Sequence, residues 1–259
     1  MRRALRHSWQ ITLRYLRAFI RQPAWVVISL VQPVIWLLIF GGLFKRVVDI
    51  PGFDAGGSYI VFLTPGVIVM TAISSAGWNG MAFIDDMNRG VMDRFLVSPV
   101  WRGALNLGSM AYGVVTIVVQ SLVIVGLAYA TGAHFRNGAA GIAVLLVVAA
   151  LLGASFAALS NALALVVRKR ESLIGAVTLV MLPLTFMSAA FMQLSLAPTW
   201  IQDVAKGNPV NWGVQASRSA ATQATDWSVV GSRIGFLVVL LVASTWLATR
   251  AFRAYQRSV

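Results

Sequence analysis

Six apolar runs, at residues 24–44, 59–83, 105–130, 139–167, 173–193 and 229–250, are each long enough to cross the roughly 30 Å hydrocarbon core of a bilayer. Lipid offers no hydrogen bonds, so each run must satisfy its own backbone, and the pattern predicts an all-α integral membrane protein with six transmembrane helices. A chain that is 58% hydrophobic and only 11% charged, with a mean hydropathy of +0.78, fits no soluble domain class. The net charge of +13 would suggest nucleic acid in a soluble protein. Here the basic residues gather in short segments between apolar runs, which is a topology signal, and no nucleic-acid partner is expected. With no cysteine, and with His7 and His134 far apart in the chain, neither a thiolate site, a cysteine nucleophile nor a metal site is expected.

Six spans place both termini on one side. Fifteen of the 21 Lys and Arg residues fall in the N-terminal segment, the 85–102 segment, the Arg168-Lys169-Arg170 turn and the tail with Arg250, Arg253 and Arg257. The positive-inside rule therefore assigns all four segments to the cytoplasm. Residues 1–22 form a unit of their own: Leu5, Trp9, Leu13, Leu16 and Ile20 recur at helical spacing beside Arg3, Arg14, Arg17 and Arg21, as in an amphipathic helix lying in the membrane interface. The apolar run that follows is too long for a signal peptide and lacks a small-residue cleavage site, so it is read as an uncleaved first span. Residues 23–259 then make one six-span domain.

The polar island at 85–102, DDMNRGVMDRFLVSPVWR, separates spans two and three and holds three of the eight acidic residues. Its charges alternate with Met87, Val91, Met92, Phe95 and Leu96, which predicts a short amphipathic helix ending at Ser98 and Pro99. A solvated connecting loop and a docking helix for a soluble partner are the two readings of such a segment. On the opposite side, residues 194–228 are too polar to span yet keep Leu196, Trp200, Ile201, Val204 and Val210. They read as a broken, re-entrant pair of short helices with Trp200, Trp212 and Trp227 at the interface.

Pro33, Pro65 and Pro183 fall inside spans one, two and five, where each frees a carbonyl and favours a kink. Polar residues available to a cargo inside the membrane are Gln32, Thr71, Ser75, Asn79, Ser188 and Gln193, although such residues also join helices to one another. No G-x-x-x-x-G-K-[ST] loop occurs, so the chain cradles no nucleotide phosphate. The acids Asp85, Asp86 and Asp93 raise a different class, an intramembrane prenyl or phosphoalcohol transferase. That chemistry needs facing carboxylate clusters, and the other cytoplasmic acid, Glu171, sits beside three basic residues. A pore is disfavoured by spans that are strongly aliphatic.

Three segments in order carry a family resemblance: QPVIWLLIFGGLF at 32–44, RGVMDRFLVSPVWRGALNLGSM at 89–110, and APTWIQDVAKGNPVNW at 197–212. Together they resemble the permease subunit of type-2 ABC exporters, particularly the bacterial daunorubicin and multidrug-resistance branch. Two departures stand out: Ser188 is followed by Ala189 where the family often has glycine, and Asp85 and Asp86 precede the Gly90 pattern where glutamate is common. The resemblance implies a multi-pass subunit of the bacterial cytoplasmic membrane, not itself an enzyme, with both termini cytoplasmic. It would pair with a second permease copy, identical or related, to form a path for a drug, a lipid or a lipid-linked glycan. The partners would be two copies of a cytoplasmic ATP-binding subunit, which would bind ATP and Mg, leaving this chain with no cofactor of its own. The island would be the coupling helix seated on that subunit through Asp86, Arg89, Gly90, Met92, Asp93, Arg94, Phe95, Leu96, Ser98 and Pro99.

Overall fold

The computed structural model describes residues 2–50, 58–92, 94, 103–221 and 226–257. The described residues are predominantly helical, with no strand among them. The chain opens with α1 (Arg2–Ile20), turns at Arg21 and enters α2 (Pro23–Ile35) with proline at the first helical position, where its missing N–H costs nothing. Three residues beyond Pro33 the helix widens into a π-helical turn, Trp36–Phe40, before a last turn at Gly41–Leu43. Proline removes a donor and crowds the turn before it, and a local π adjustment is one way a membrane helix accommodates it.

Helix α3 (Tyr59–Gly77) is capped by Ser58, whose Oγ accepts from Val61 N, and continues after a turn at 78–80 into α4 (Met81–Asn88). The long helices α5 (Gly103–Ala130) and α6 (Gly138–Val167) follow, then α7 (Arg170–Phe186), the short α8 (Thr199–Lys206), α9 (Pro209–Ala221) and α10 (Trp227–Arg257). Asp226 caps α10 by accepting from the N–H groups of Ser228 and Val229 at 2.9 and 3.3 Å.

Among the described residues, four helical stretches are long and apolar enough to cross a membrane: Tyr59–Asn88, Gly103–Ala130, Gly138–Val167 and Trp227–Arg257. The first and fifth apolar runs form shorter helices. The fifth, expected to continue to 193, leaves the helix after Phe186, and residues 187–193 are turn and bend.

Helix α6 is the hub, touching α3, α5, α9 and α10. Its sequence explains this: Gly141, Ala149, Gly153, Ala154, Ala157, Ala158 and Ala164 are buried along it, and small residues let backbones approach closely. A Cβ on Gly153 would lie 2.3 Å from Ile117 of α5, and one on Gly141 would lie 2.7 Å from the Ala220 carbonyl of α9. The buried polar groups on this hub are shared between helices. Asn161 of α6 donates to Asn106 Oδ1 at 2.8 Å and accepts from Asn79 Nδ2 at 3.2 Å, while Asn79 also donates to Ser109 Oγ at 2.7 Å. Gly80 passes so close to Ser160 that a Cβ would meet its carbonyl at 2.4 Å, and Gly80 N donates to Ser160 Oγ.

Candidate functional site

At the island end, three elements meet on two adjacent acids. Helix α4 buries Phe83 and Ile84 and presents Asp85 and Asp86 on neighbouring flanks. The Asp85 carboxylate pairs with Arg170, the first residue of α7, at 3.0 Å. Both partners are substantially exposed, which puts this pair in the range of about 0–1 kcal/mol. Asp86 is only 13% exposed and accepts from the Arg14 guanidinium and from the Tyr15 hydroxyl, the latter at 2.8 Å. Hydrogen bonds to a charged group contribute about 1.5–3 kcal/mol each, so Asp86 is the stronger tether of the two. Burial, and then the facing Asp86 charge, push the Tyr15 phenol well above its ordinary range, which keeps the hydroxyl a donor.

The seating of α1 makes this possible. Ile11, Thr12 and Tyr15 are buried, Thr12 Oγ1 donates to the Gly108 carbonyl at 3.1 Å, and the Tyr112 ring packs at a tilt against Tyr15 and edge-on against Phe19. A Cβ at Gly108 would meet Ile11 at 2.7 Å, so α1 lies on α5 where a glycine opens the surface. Trp9 and Ile20, 58% and 70% exposed, stay on the side turned away from the protein.

Beyond α4 the chain reverses at Gly90, which has φ +66° and donates its N–H to the Met87 carbonyl at 3.0 Å. This is a left-handed helix cap, and a side chain there is strained even though nothing lies within 4 Å. Gly90→Ala is expected to cost about 1 kcal/mol, read as a lower melting temperature of the purified chain.

The expected coupling residues divide in this structure. Arg89 and Arg94 are exposed, whereas Met92, expected to fill a pocket of the partner, is 1% exposed and packed in the chain's own core with Phe83, Ile84, Leu105 and Leu173. Asp86 is turned to α1. Asp93, Phe95, Leu96, Ser98 and Pro99 lie outside the described residues. The Arg168 turn stands at the same end: Arg168 adopts φ 53°, caps α6 through its N–H to Ala164, and lays its guanidinium 4.8 Å from the Tyr255 ring centre.

At the opposite end, the residues after Phe186 wall a cavity of about 310 Å³ against the π-helical turn of α2. Trp36, Phe40, Phe186 and Phe191 contribute rings, and Ser188 and Gln193 contribute polar atoms. This wall is not helical, and its backbone groups are met by side chains from elsewhere. Asn208 donates to the carbonyls of Leu184 and Met187, Asn211 accepts from Ala189 N, and Tyr59 donates to the Phe191 carbonyl at 3.0 Å. The buried Arg218 donates to Ala189 O at 2.8 Å and to Phe62 O at 3.2 Å, with its guanidinium 3.6 Å from the centre of the Phe62 ring.

Of the six polar residues proposed for cargo, the structure brings Ser188 and Gln193 to the cavity. The other four stand apart. Thr71 Oγ1 bonds back to Val67 O, Ser75 Oγ to Gln120 Oε1, and Asn79 is buried in the asparagine network; Gln32 is exposed on α2. The rings of Trp36, Phe40, Phe186 and Phe191 and the wall residues Asn208, Asn211 and Arg218 were not anticipated as a group. The rings are apolar residues in apolar runs, and Asn208, Asn211 and Arg218 lie in the polar 194–228 segment, so no local signal in the sequence sets this group apart.

Helices of bilayer length around a small-residue hub, with a charged end and an aromatic cavity at the other, define an integral membrane protein. The chain belongs to the ABC-2 type transporter family, whose model matches residues 6–221. Among its relatives is the daunorubicin resistance ABC transporter permease protein DrrB1 of Streptomyces coeruleorubidus, 30% identical over 214 residues, covering 83% of this chain and 73% of that protein. The inner membrane transport permease YadH of Escherichia coli K12 is 28% identical over 247 residues, covering 93% of this chain and 91% of the relative. Members of this family are permease subunits of ABC transporters.

Proposed function

We propose that this chain is half of the membrane path of an ATP-driven exporter, with both termini, the island and the Arg168 turn on the cytoplasmic side. The observation that carries the reading is the meeting of α1, α4 and α7 on Asp85 and Asp86, which joins the island mechanically to the membrane helices. Two copies of the chain, or this chain and a related one, would form the path. Two cytoplasmic subunits would bind ATP and Mg and dock on the island through the exposed Arg89 and Arg94 and the residues that follow. A partner that biases two discrete states needs a contiguous element of this kind. The shorter apolar helices α2 and α7 complete six spans, and α8 and α9 form the re-entrant outer segment. The cargo is a hydrophobic or amphipathic compound; drug resistance in the name of one relative supports a drug or antibiotic.

The purified chain is expected to hydrolyse no ATP, and to support ATP-dependent transport in vesicles only with a separately encoded ATP-binding subunit, since it has no phosphate-binding loop. Hydrolysis by the pure chain, or transport without that subunit, refutes the reading. Topology is checked independently. In intact cells an impermeant thiol reagent is expected to label Ser58→Cys and to spare Ser172→Cys, against a native background free of cysteine. Labelling of Ser172→Cys from outside reverses the orientation.

A further inference from the structure

We propose that the cavity at the end of α7 is a binding site for an uncharged, planar aromatic compound. Irregular backbone at membrane depth is tolerated only where protein buries it or where it lines a cavity. Residues 187–193 are irregular, and side chains of α3 and α9 hold them in place, so this wall is a built surface and not a frayed helix end. A volume of about 310 Å³ stands at the small end of the range of ligand pockets, roughly 300–1,000 Å³.

The lining chemistry narrows the occupant. None of the lining residues is Lys, Arg, Asp or Glu, so an ionised group placed there would lose its water and gain no counter-charge. Trp36 lies 4.3 Å from Phe40 and 4.8 Å from Phe191 between ring centres, with planes tilted by 48° and 42°, and Phe40 and Phe191 are tilted by 39°. Rings that meet at such angles do not cover one another's faces. They leave edges and faces for a further ring in offset or edge-to-face contact. The Ser188 hydroxyl donates to Thr185 O and accepts from Ala190 N, so its task is structural, and Gln193 is the other polar residue of the lining.

The role of this site as a station on an export path rests on the permease reading, whereas binding itself does not. The test uses the full chain in phosphatidylcholine nanodiscs, with N-phenyl-1-naphthylamine as the uncharged aromatic probe and its fluorescence as the signal. Trp36→Leu and Phe191→Leu are each expected to weaken binding about tenfold, the effect of removing one or two ring contacts. Trp246→Leu, which removes an exposed ring on α10 away from the cavity, is expected to leave binding unchanged. On the native chain, 1-dodecanol is expected to displace the probe poorly and a second neutral polycycle to displace it well. Native affinity in both cavity variants overturns the inference. So does efficient displacement by dodecanol, which would assign the cavity to an acyl chain, and so does binding that vanishes when the nanodiscs hold two copies, which would assign it to chain pairing. The competition arm needs no variant to fold. Loss of the inference alongside intact ATP-driven transport leaves the permease reading standing.

Discussion

Replacing Gly66 by alanine is expected to destabilise the protein by about 3 kcal/mol or more, at the upper end of what one added methyl costs in a packed core. The added Cβ would lie 2.2 Å from the carbonyl oxygen of Ala190, and 2.9 and 3.0 Å from its carbonyl carbon and Cα. All three are backbone atoms, so no side-chain rotation relieves the overlap. Nor can the wall step back freely. Asn211 and Arg218 hold the Ala189 N–H and carbonyl, and Ser188 Oγ holds the Ala190 N–H, so retreat breaks bonds in a place where water cannot replace them. Gly175→Ala is the internal comparison, because nothing lies within 4 Å of a Cβ there and alanine is the better helix former by about 1 kcal/mol. Thermal melts of the two purified variants are expected to move in opposite directions. A native melting temperature for Gly66→Ala would mean that residues 187–193 give way easily and that the aromatic cavity is not preorganised.

The helical class and the approximate positions of the long helices were legible because lipid forces each spanning segment to satisfy its own backbone, and that leaves a long apolar run in the sequence. The end of α7 was not. Its apolar run continues to 193, but the groups that let the helix stop at Phe186 are Asn208, Asn211 and Arg218, which bond to residues 21 to 29 positions earlier. No local pattern encodes that partnership. Helix α1 shows a second kind of gap. Its apolar and basic faces follow from helical spacing, yet its third face, Ile11, Thr12 and Tyr15, mixes polar and apolar residues and acquires meaning from Gly108 and Asp86, far along the chain. Met92 illustrates the same limit, since the amphipathic spacing that places it on an apolar stripe cannot say whether the stripe faces a partner or the chain's own core.

The proposed docking of an ATP-binding subunit on the island is tested by charge reversal just beyond Gly90. Arg94 is exposed here, as Arg89 is, while the acids before Gly90 are engaged within the chain. If a partner covers the island, Arg94→Glu or Asp93→Arg leaves charges buried without a counterpart and weakens association by about 2–5 kcal/mol. An island that merely connects two spans keeps these charges in water, where reversal changes about 0–1 kcal/mol. The deciding measurement is the recovery of the ATP-binding subunit when each variant is purified from membranes, with the amount of inserted permease measured in the same samples. We expect normal insertion with loss of the subunit and of transport together in both variants. Undiminished recovery and transport at normal insertion would rule out docking on the island and move the docking surface to the Arg168 turn or to α1.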